Sequence, residues 1–529
     1  MSGEHLNLSR DAFVSHVTQA RSASPGKTLA VPLRIRLLAD QLTPVLAYRR
    51  LVAPDERTAP SFLLESVEGG ERQGRYSILS ARPIKEIVAT GNFGSDDPLA
   101  RMRRETADVE LSLPATSARD ALPACFLGGW VGYAAYDAVR YAEPEKLNHP
   151  PRDDRHLPDV AFALYDGVVV FDHVDKMVHV VQLALVAPDA DVVGVYNQAV
   201  SKLERRVVEI QTHSKPLPAG RVPSDAPPAA LASNMTRQEH ASMLDKALEY
   251  IRAGDIFQVV LGQRFERISK ADPFDVYRAL RAVNPSPYMV YMQTGGCILV
   301  ASSPEILCRV RRKPATERRS DGATKDSFIV TNRPLAGTRK RGGTPEEDRA
   351  LEQDLLADQK ERAEHIMLVD LGRNDVGQVA KPGTVQLPAV MEVERYSHVM
   401  HISSTVTGEL REGLDCWDAL RAALPVGTIS GAPKIRAMQI IDELEPLRRG
   451  PYGGGMGYVG LDGQMDIALA LRTIVVPCDA HGTDGWTYHL QASGGIVADS
   501  QHEAEYQETV NKAAALARAL ALAEAAFSG

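Results

Sequence analysis

Aromatic residues make up only 6% of this 529-residue chain, and there are five cysteines: Cys125, Cys297, Cys308, Cys416 and Cys478. The cysteines are scattered, odd in number and nowhere spaced Cys-x-x-Cys. That excludes a disulfide frame and a thiolate zinc site, and it implies reduced thiols. Positive charge is not in excess. With a net charge of −8 the chain lacks the electrostatic footprint of a nucleic-acid-binding protein. No apolar run approaches the ~20 residues of a membrane span, and the polar N-terminus lacks the pattern of a secretory signal. A cytoplasmic protein that engages neither nucleic acid nor membrane is the expectation. The remaining composition, 44% hydrophobic and 24% charged, is that of an ordinary globular protein.

Five prolines fall among Ala, Gly and Ser in residues 214–230, where no helix or central strand survives. This predicts a linker between a β-rich half, 1–213, and a second half, 231–529. In the first half, 162–172 and 177–185 read as strands. In the second, 235–252 reads as a helix capped by Asn234 or Thr236, and the charged stretch 311–331 as a long exposed hairpin loop. Gly128-Gly129-Trp130-Val131-Gly132-Tyr133 is echoed by Gly454-Gly455-Met456-Gly457-Tyr458, a weak sign of duplication. The class predicted is α+β: two large antiparallel sheets packed face to face with helices outside, in α/β/β/α layers.

The most informative segment is Gly427-Thr428-Ile429-Ser430-Gly431-Ala432-Pro433-Lys434-Ile435-Arg436-Ala437-Met438. Its glycines, proline and small hydroxyls predict a tight loop. A helix should start near Pro433, with Ile435, Met438, Ile441 and Leu444 at helical spacing. Backbone N–H groups at a helix N-terminus can hold an anion; an ordinary connection between elements fits these residues equally well. The Gly-x-x-x-x-Gly-Lys-Ser/Thr spacing of a P-loop is absent.

Two carboxylate pairs stand out. Glu361 and Glu364 precede an apolar run, and Glu505 and Glu508 open an Ala-rich C-terminal helix. Residues three apart share a helical face, so each pair can converge. Two such helices face to face would make an oxygen-only site suited to Mg²⁺, although solvated acidic faces are the commoner reading of such pairs. Arg472 lies in the otherwise apolar run 468–476, read as a strand, and needs a partner there: a salt bridge or a substrate carboxylate. Glu305 follows a strand-like run and Pro304, where a plain turn carboxylate is the default. His398 and His401 lie three apart in the alternating run 396–407 and point to opposite faces.

The segment 427–446 resembles the signature of the chorismate-utilising enzymes, and from about Pro32 onward the motif order resembles that of anthranilate synthase component I. The resemblance implies that Glu361, Glu364, Glu505 and Glu508 bind Mg²⁺, Glu364 and Glu508 directly and the others through water. It implies that Arg472 clamps a chorismate carboxylate, helped by the Tyr452 hydroxyl, Gly337-Thr338, Lys512 and a Ser493-Gly494-Gly495 turn supplying backbone donors. The family more often shows Gly-Ala-Gly at that turn. Glu305 would protonate the departing C4 hydroxyl. His401, beside Thr428, would handle a proton when pyruvate leaves. Leu64-Glu65-Ser66 with Pro287-Tyr288-Met289 resemble a tryptophan feedback site, though as residues they read as a strand end and a proline-fixed turn.

Departures within the family narrow the reaction. Relatives that add water carry a lysine base where this chain has Gln258, and an amide cannot serve as that base. One type of aminodeoxychorismate synthase carries Pro-Ile-Lys-Gly-Thr where this chain reads Pro334-Leu335-Ala336-Gly337-Thr338. Alanine forms no covalent adduct. No cysteine lies in an amidotransferase elbow, so the nucleophile expected is ammonia from a separate glutamine amidotransferase subunit, and the product anthranilate. Aminodeoxychorismate synthase working without the lysine, or a non-catalytic tryptophan-sensing subunit, are the other readings.

Overall fold

The computed structural model describes residues 5–527 apart from 54–55, 57–58, 69–71, 92, 95, 116–120, 213–216, 224–227, 314–326, 397–398 and 480–481. Among the described residues, two large sheets of 13 and 10 strands dominate. Their facing sides bury one apolar layer that includes Phe62, Val168, Val290, Leu299, Met456 and Val475. Helices cover both outer faces. Phe274, Leu280, Leu516 and Leu520 pack on the larger sheet, as does the helix carrying Met438 and Ile441; Leu420 packs beside strand residues of the smaller one. This is the layered α+β arrangement expected, because each sheet face and each helix stripe must bury its apolar side against another element.

Both sheets draw strands from either side of the proline-rich segment. In the larger sheet Tyr288–Gln293 pairs with Ser61–Glu65. In the smaller, Gly455–Gly460 pairs with Gly129–Ala134, so the two glycine-rich echoes are antiparallel neighbours with Gly457 opposite Gly132.

Two crossings between the sheets position the site. The chain leaves Cys297–Ser303 in the larger sheet, passes Pro304 and Glu305, and enters Ile306–Arg312 in the smaller. It returns from Met465–Leu469 through Ala470, Leu471 and Arg472 to Thr473–Pro477. The crossings are stitched together. Leu469 N–H donates to Glu305 O at 3.0 Å, Ser302 N–H to Arg472 O at 3.1 Å, and Ser303 Oγ to Leu469 O at 2.5 Å. A residue at such a crossing belongs to neither pleat, so its side chain is free to enter the gap at the sheet ends.

Several expectations need correction. Residues 162–172 are two strands, Val160–Tyr165 and Gly167–Asp172, in different sheets; unbroken hydrophobicity hides the switch at Asp166. Arg472 lies outside both neighbouring strands, with φ +46°. The predicted tight loop contains a single helical turn, Gly427–Ser430, then Gly431–Ala432 pairs with Gln258–Ser269 before the helix Lys434–Leu444. Ser493, Gly494 and Gly495 form no turn but lie inside the strand Trp486–Ile496, opposite Gly262, Leu261 and Val260. The helix expected at 235–252 is Arg237–Ala253, capped by Thr236 in a capping box with Glu239. The hairpin expected at 311–331 is seen as Ile306–Arg312 paired with Phe328–Arg333; most of its loop, and His398, lie outside the described residues.

Packing stabilises the 427–430 turn through a buried ion pair. Arg449 donates from Nη1 to Ile429 O and from Nη2 to Val260 O, both at 2.7 Å, and grips Glu445 through Nε at 2.8 Å and Nη2 at 2.6 Å. Glu445 also accepts from Gly262 N–H at 3.0 Å. Removing one partner of such a pair strands the other charge, at a cost of about 3–5 kcal/mol, whereas removing both costs less. Arg449→Met should therefore lower the thermal unfolding midpoint clearly, and Arg449→Met with Glu445→Leu should recover part of the loss. Calorimetry on both variants checks this.

Candidate active site

Glu305 is 3% exposed, and Thr428 Oγ1 donates to its Oε1 at 3.0 Å. Burial pushes its carboxyl up to about 8, against the smaller opposing pull of the Thr428 bond. A carboxylic acid, not a carboxylate, is the dominant form at neutral pH. The one-turn helix pinned by Arg449 is what delivers Thr428 to it.

His401 projects from the strand Val399–Glu409, directly opposite Thr338 in the strand Leu335–Lys340. Its Nδ1 lies 3.0 Å from Gly337 O and 3.0 Å from Thr338 Oγ1. The carbonyl can only accept, so Nδ1 carries the proton and Nε2 keeps its lone pair. Burial first, then the nearby Arg472 charge, lowers the imidazole to about 4. His401 is a neutral base.

Arg472 Nη2 lies 3.5 Å from His401 Nε2. No carboxylate forms an ion pair with Arg472 among the described residues. Burial lowers its pKa, and the Tyr396 phenol opposes this only in part. A guanidinium left this way has the chemistry to take an anion.

The four glutamates line one region from two helices, Gln359–Val379 and His502–Phe527. Gln258 Nε2 donates to Glu364 Oε1 at 3.0 Å, while Gln258 Oε1 is buried without a hydrogen-bond partner. Arg339 Nη1 donates to Glu361 Oε1 at 3.3 Å. Lys512 bridges Glu508 at 2.6 Å and Ser493 O at 2.9 Å. Glu505 Oε2 is buried without a partner. Burial raises Glu361, Glu364 and Glu505, and neighbouring glutamates add to this in each case. The glycines belong here for close approach: a Cβ on Gly494 would stand 3.1 Å from Glu505 Oε2, and one on Gly495 2.5 Å from Gln258 Nε2. Gly337 needs its freedom too, with φ +67° and a Cβ position 3.2 Å from Glu361 Oε2.

Tyr452 is buried and gives its hydroxyl proton to Ser493 Oγ at 3.1 Å. Arg339, Arg449 and Tyr396, which carry or frame this arrangement, gave no signal in the sequence, since each acts through contacts distant along the chain. Leu64, Glu65, Ser66, Pro287, Tyr288 and Met289 are brought together on a cavity of ≈ 700 Å³ between the sheets.

The family model for chorismate binding enzyme matches residues 59–518. Anthranilate synthase alpha subunit 1, chloroplastic, of Oryza sativa subsp. indica is 51% identical, over 94% of this chain and 89% of its own. Anthranilate synthase component 1 of Pseudomonas aeruginosa is 44% identical, over 93% of this chain and 96% of its own. The crystal structure of anthranilate synthase component I from Streptococcus pneumoniae superposes with a TM-score of 0.69 at 35% identity, covering 91% of this chain and 99% of that one. The plant relatives are named chloroplastic, which overturns the cytoplasmic expectation. The five cysteines are all free, but free thiols speak only against an oxidising compartment and do not separate cytoplasm from an organelle interior. The chain is an enzyme that belongs to the chorismate-binding family, and within it the resemblance is to anthranilate synthase component I.

Proposed function

We propose that this chain converts chorismate and ammonia to anthranilate, pyruvate and water. The observation that carries the reading is the opposite tuning of two buried groups: Glu305 held protonated and His401 held neutral. One is an acid and the other a base at the same pH, as a reaction with one protonation and one deprotonation requires. In the first half, ammonia forms a bond to C2, both ring double bonds move along by one position, and the C4–O bond breaks as Glu305 passes its proton to the hydroxyl, which leaves as water; the new C2 ammonium gives up a proton that restores Glu305. In the second, His401 Nε2 takes the C2 proton, the C2–H electrons form the last ring double bond as the C3–O bond breaks, and the leaving enolpyruvate takes up a proton at its methylene carbon to become pyruvate. Arg472 holds a substrate carboxylate beside His401 through both steps.

The acidic residues fit Mg²⁺ by chemistry: oxygen donors only, from two helices, with an unpartnered buried oxygen on Glu505 and carboxyls that burial and mutual repulsion raise. Among the described residues no three His, Cys, Asp or Glu side chains form a closed shell. Glu364 and Glu508 would hold the ion directly, Glu361 and Glu505 through water. Bound there, Mg²⁺ would supply positive charge to a chorismate carboxylate.

Gln258 supports ammonia as the nucleophile. Its amide already donates to Glu364 and offers only a carbonyl oxygen, so this position cannot supply the base that water-adding relatives carry there as lysine. A separate glutamine amidotransferase subunit is the proposed source of ammonia. The cavity lined by Leu64 and Tyr288 is proposed as the tryptophan feedback site; its mix of apolar walls and arginines suits an aromatic amino acid.

The isolated chain should therefore make anthranilate from chorismate, Mg²⁺ and ammonium salt, and none with glutamine as the nitrogen source. Chromatography of the products checks this; glutamine-driven anthranilate, or isochorismate as the main product with ammonia plentiful, would contradict it. The pH profile supplies a second check. Glu305 is in its acid form below about 8 and loses it as pH rises through that value; His401 is a base above about 4. Rate per free NH₃ should be level between these limits and fall above about pH 8. Glu305→Gln keeps the shape but has no acidic proton; kcat should drop by roughly 10²–10⁴, and the alkaline limb should vanish.

A further inference from the structure

The cavity and the catalytic residues share a wall. Pro304 and Ile306, on either side of Glu305, line the cavity, as does Leu335, whose backbone bonds to the Glu305 carboxyl. On the His401 side the wall is Tyr396, 5% exposed, its ring centroid 5.6 Å from that of His401.

Tyr396 is also tied to the cavity's charges. Its hydroxyl donates to Glu394 Oε2 at 2.8 Å, and Glu394 pairs with Arg333 Nη2 at 2.5 Å. Glu394 and Arg333 both line the cavity. In the ladder between Gln386–Arg395 and Val399–Glu409, Glu394 stands directly opposite His401. Tyr396 thus touches the catalytic base with its ring and the cavity's ion pair with its hydroxyl.

Every arginine on this cavity already has an acidic partner: Arg75 with Asp172, Arg309 and Arg311 with Asp466, Arg333 with Glu394, Arg395 with Glu352. A bound amino acid must place its carboxylate against one of them, and so compete with that partner. Where Arg333 is taken, Glu394 loses its cation and its hold on Tyr396 changes. The packing against His401 changes with it, because the space behind the imidazole is filled by that ring.

We infer that Tyr396 is a positioning residue for His401, and that occupancy of the cavity reaches the catalytic base through the Arg333–Glu394–Tyr396 chain. The inference rests on the cavity being the tryptophan site. Coupling between two ligands is reciprocal, so it is read from binding alone.

The test is titration calorimetry of L-tryptophan into the full chain with Mg²⁺, in the absence of ammonia, with and without saturating chorismate. In the wild type, chorismate should weaken tryptophan binding by a factor within about 5–150, the usual span of such coupling. Tyr396→Phe keeps the ring and removes the hydroxyl. Its tryptophan affinity without chorismate should stay within about threefold of wild type, and its coupling factor should fall to within about twofold of unity. Glu394→Gln, which weakens the same chain from its other side, should lower the coupling too. Wild-type coupling that persists in both variants overturns the role of Tyr396. A wild-type chain that binds no tryptophan overturns the assignment of the cavity instead, and the coupling with it. Tryptophan affinity retained in Tyr396→Phe, and at or above wild type in Glu394→Gln because Arg333 loses its competing partner, is the check that the fold is intact.

Discussion

Everything chemical in this molecule depends on two adjacent chain crossings from one sheet to the other, fastened to each other by backbone hydrogen bonds. Ser302 to Arg472 and Leu469 to Glu305 are those fastenings. They force a carboxyl and a guanidinium into the gap at the sheet ends, outside the strand pairing, with the carboxyl buried and the guanidinium partly so. Each sheet alone would leave those positions in a pleat. The consequence is electrostatic. Glu305, with one hydroxyl partner and little water, holds its proton at neutral pH. His401 stays neutral first because it is buried and then because Arg472 Nη2 stands 3.5 Å from its Nε2. An acid and a base that do not neutralise each other follow from the same piece of topology.

The acidic half of the site obeys the opposite logic. Four carboxylates from two helices crowd one region, Glu361, Glu364 and Glu505 at least partly buried, and the protein relieves this only in part, through Gln258 on Glu364, Arg339 on Glu361 and Lys512 on Glu508. A region with oxygens to spare is suited to a hard cation and a charged substrate together. The three glycines at 337, 494 and 495 are the steric counterpart, since a methyl group at any of them would meet one of these polar atoms at 3.2 Å or less.

Parts of this were legible in the chain. The glutamate pairs were, because a three-residue spacing on a helix says which side chains share a face whatever the tertiary structure. The layered α+β class also followed, from strand-like runs interleaved with helical ones. The crossings were not legible. Residues 468–476 and 162–172 are apolar on both sides of the switch, since every strand involved is buried on both faces, so hydrophobic period carries no mark of Arg472 or Asp166 leaving the pleat. Ser493-Gly494-Gly495 misled for a related reason: glycine signals a turn by its dihedral freedom, but here it serves close approach inside a strand. The Gly427–Ser430 turn is helical with support from Arg449, 20 residues on, which bonds to Ile429 O. Chemical roles came from family resemblance; spacing alone left solvated carboxylates and structural salt bridges as fair readings.

The central claim is that burial at the crossing, and not any substrate, keeps Glu305 protonated. Difference infrared spectroscopy of the ligand-free chain against Glu305→Gln tests it most directly, by following the carbonyl stretch of a protonated carboxyl across pH. The account predicts a protonated-carboxyl band at pH 7 that is absent from the variant and disappears as pH rises through about 8. A Glu305 band already lost near pH 4.5, the ordinary range for a glutamate, would contradict it.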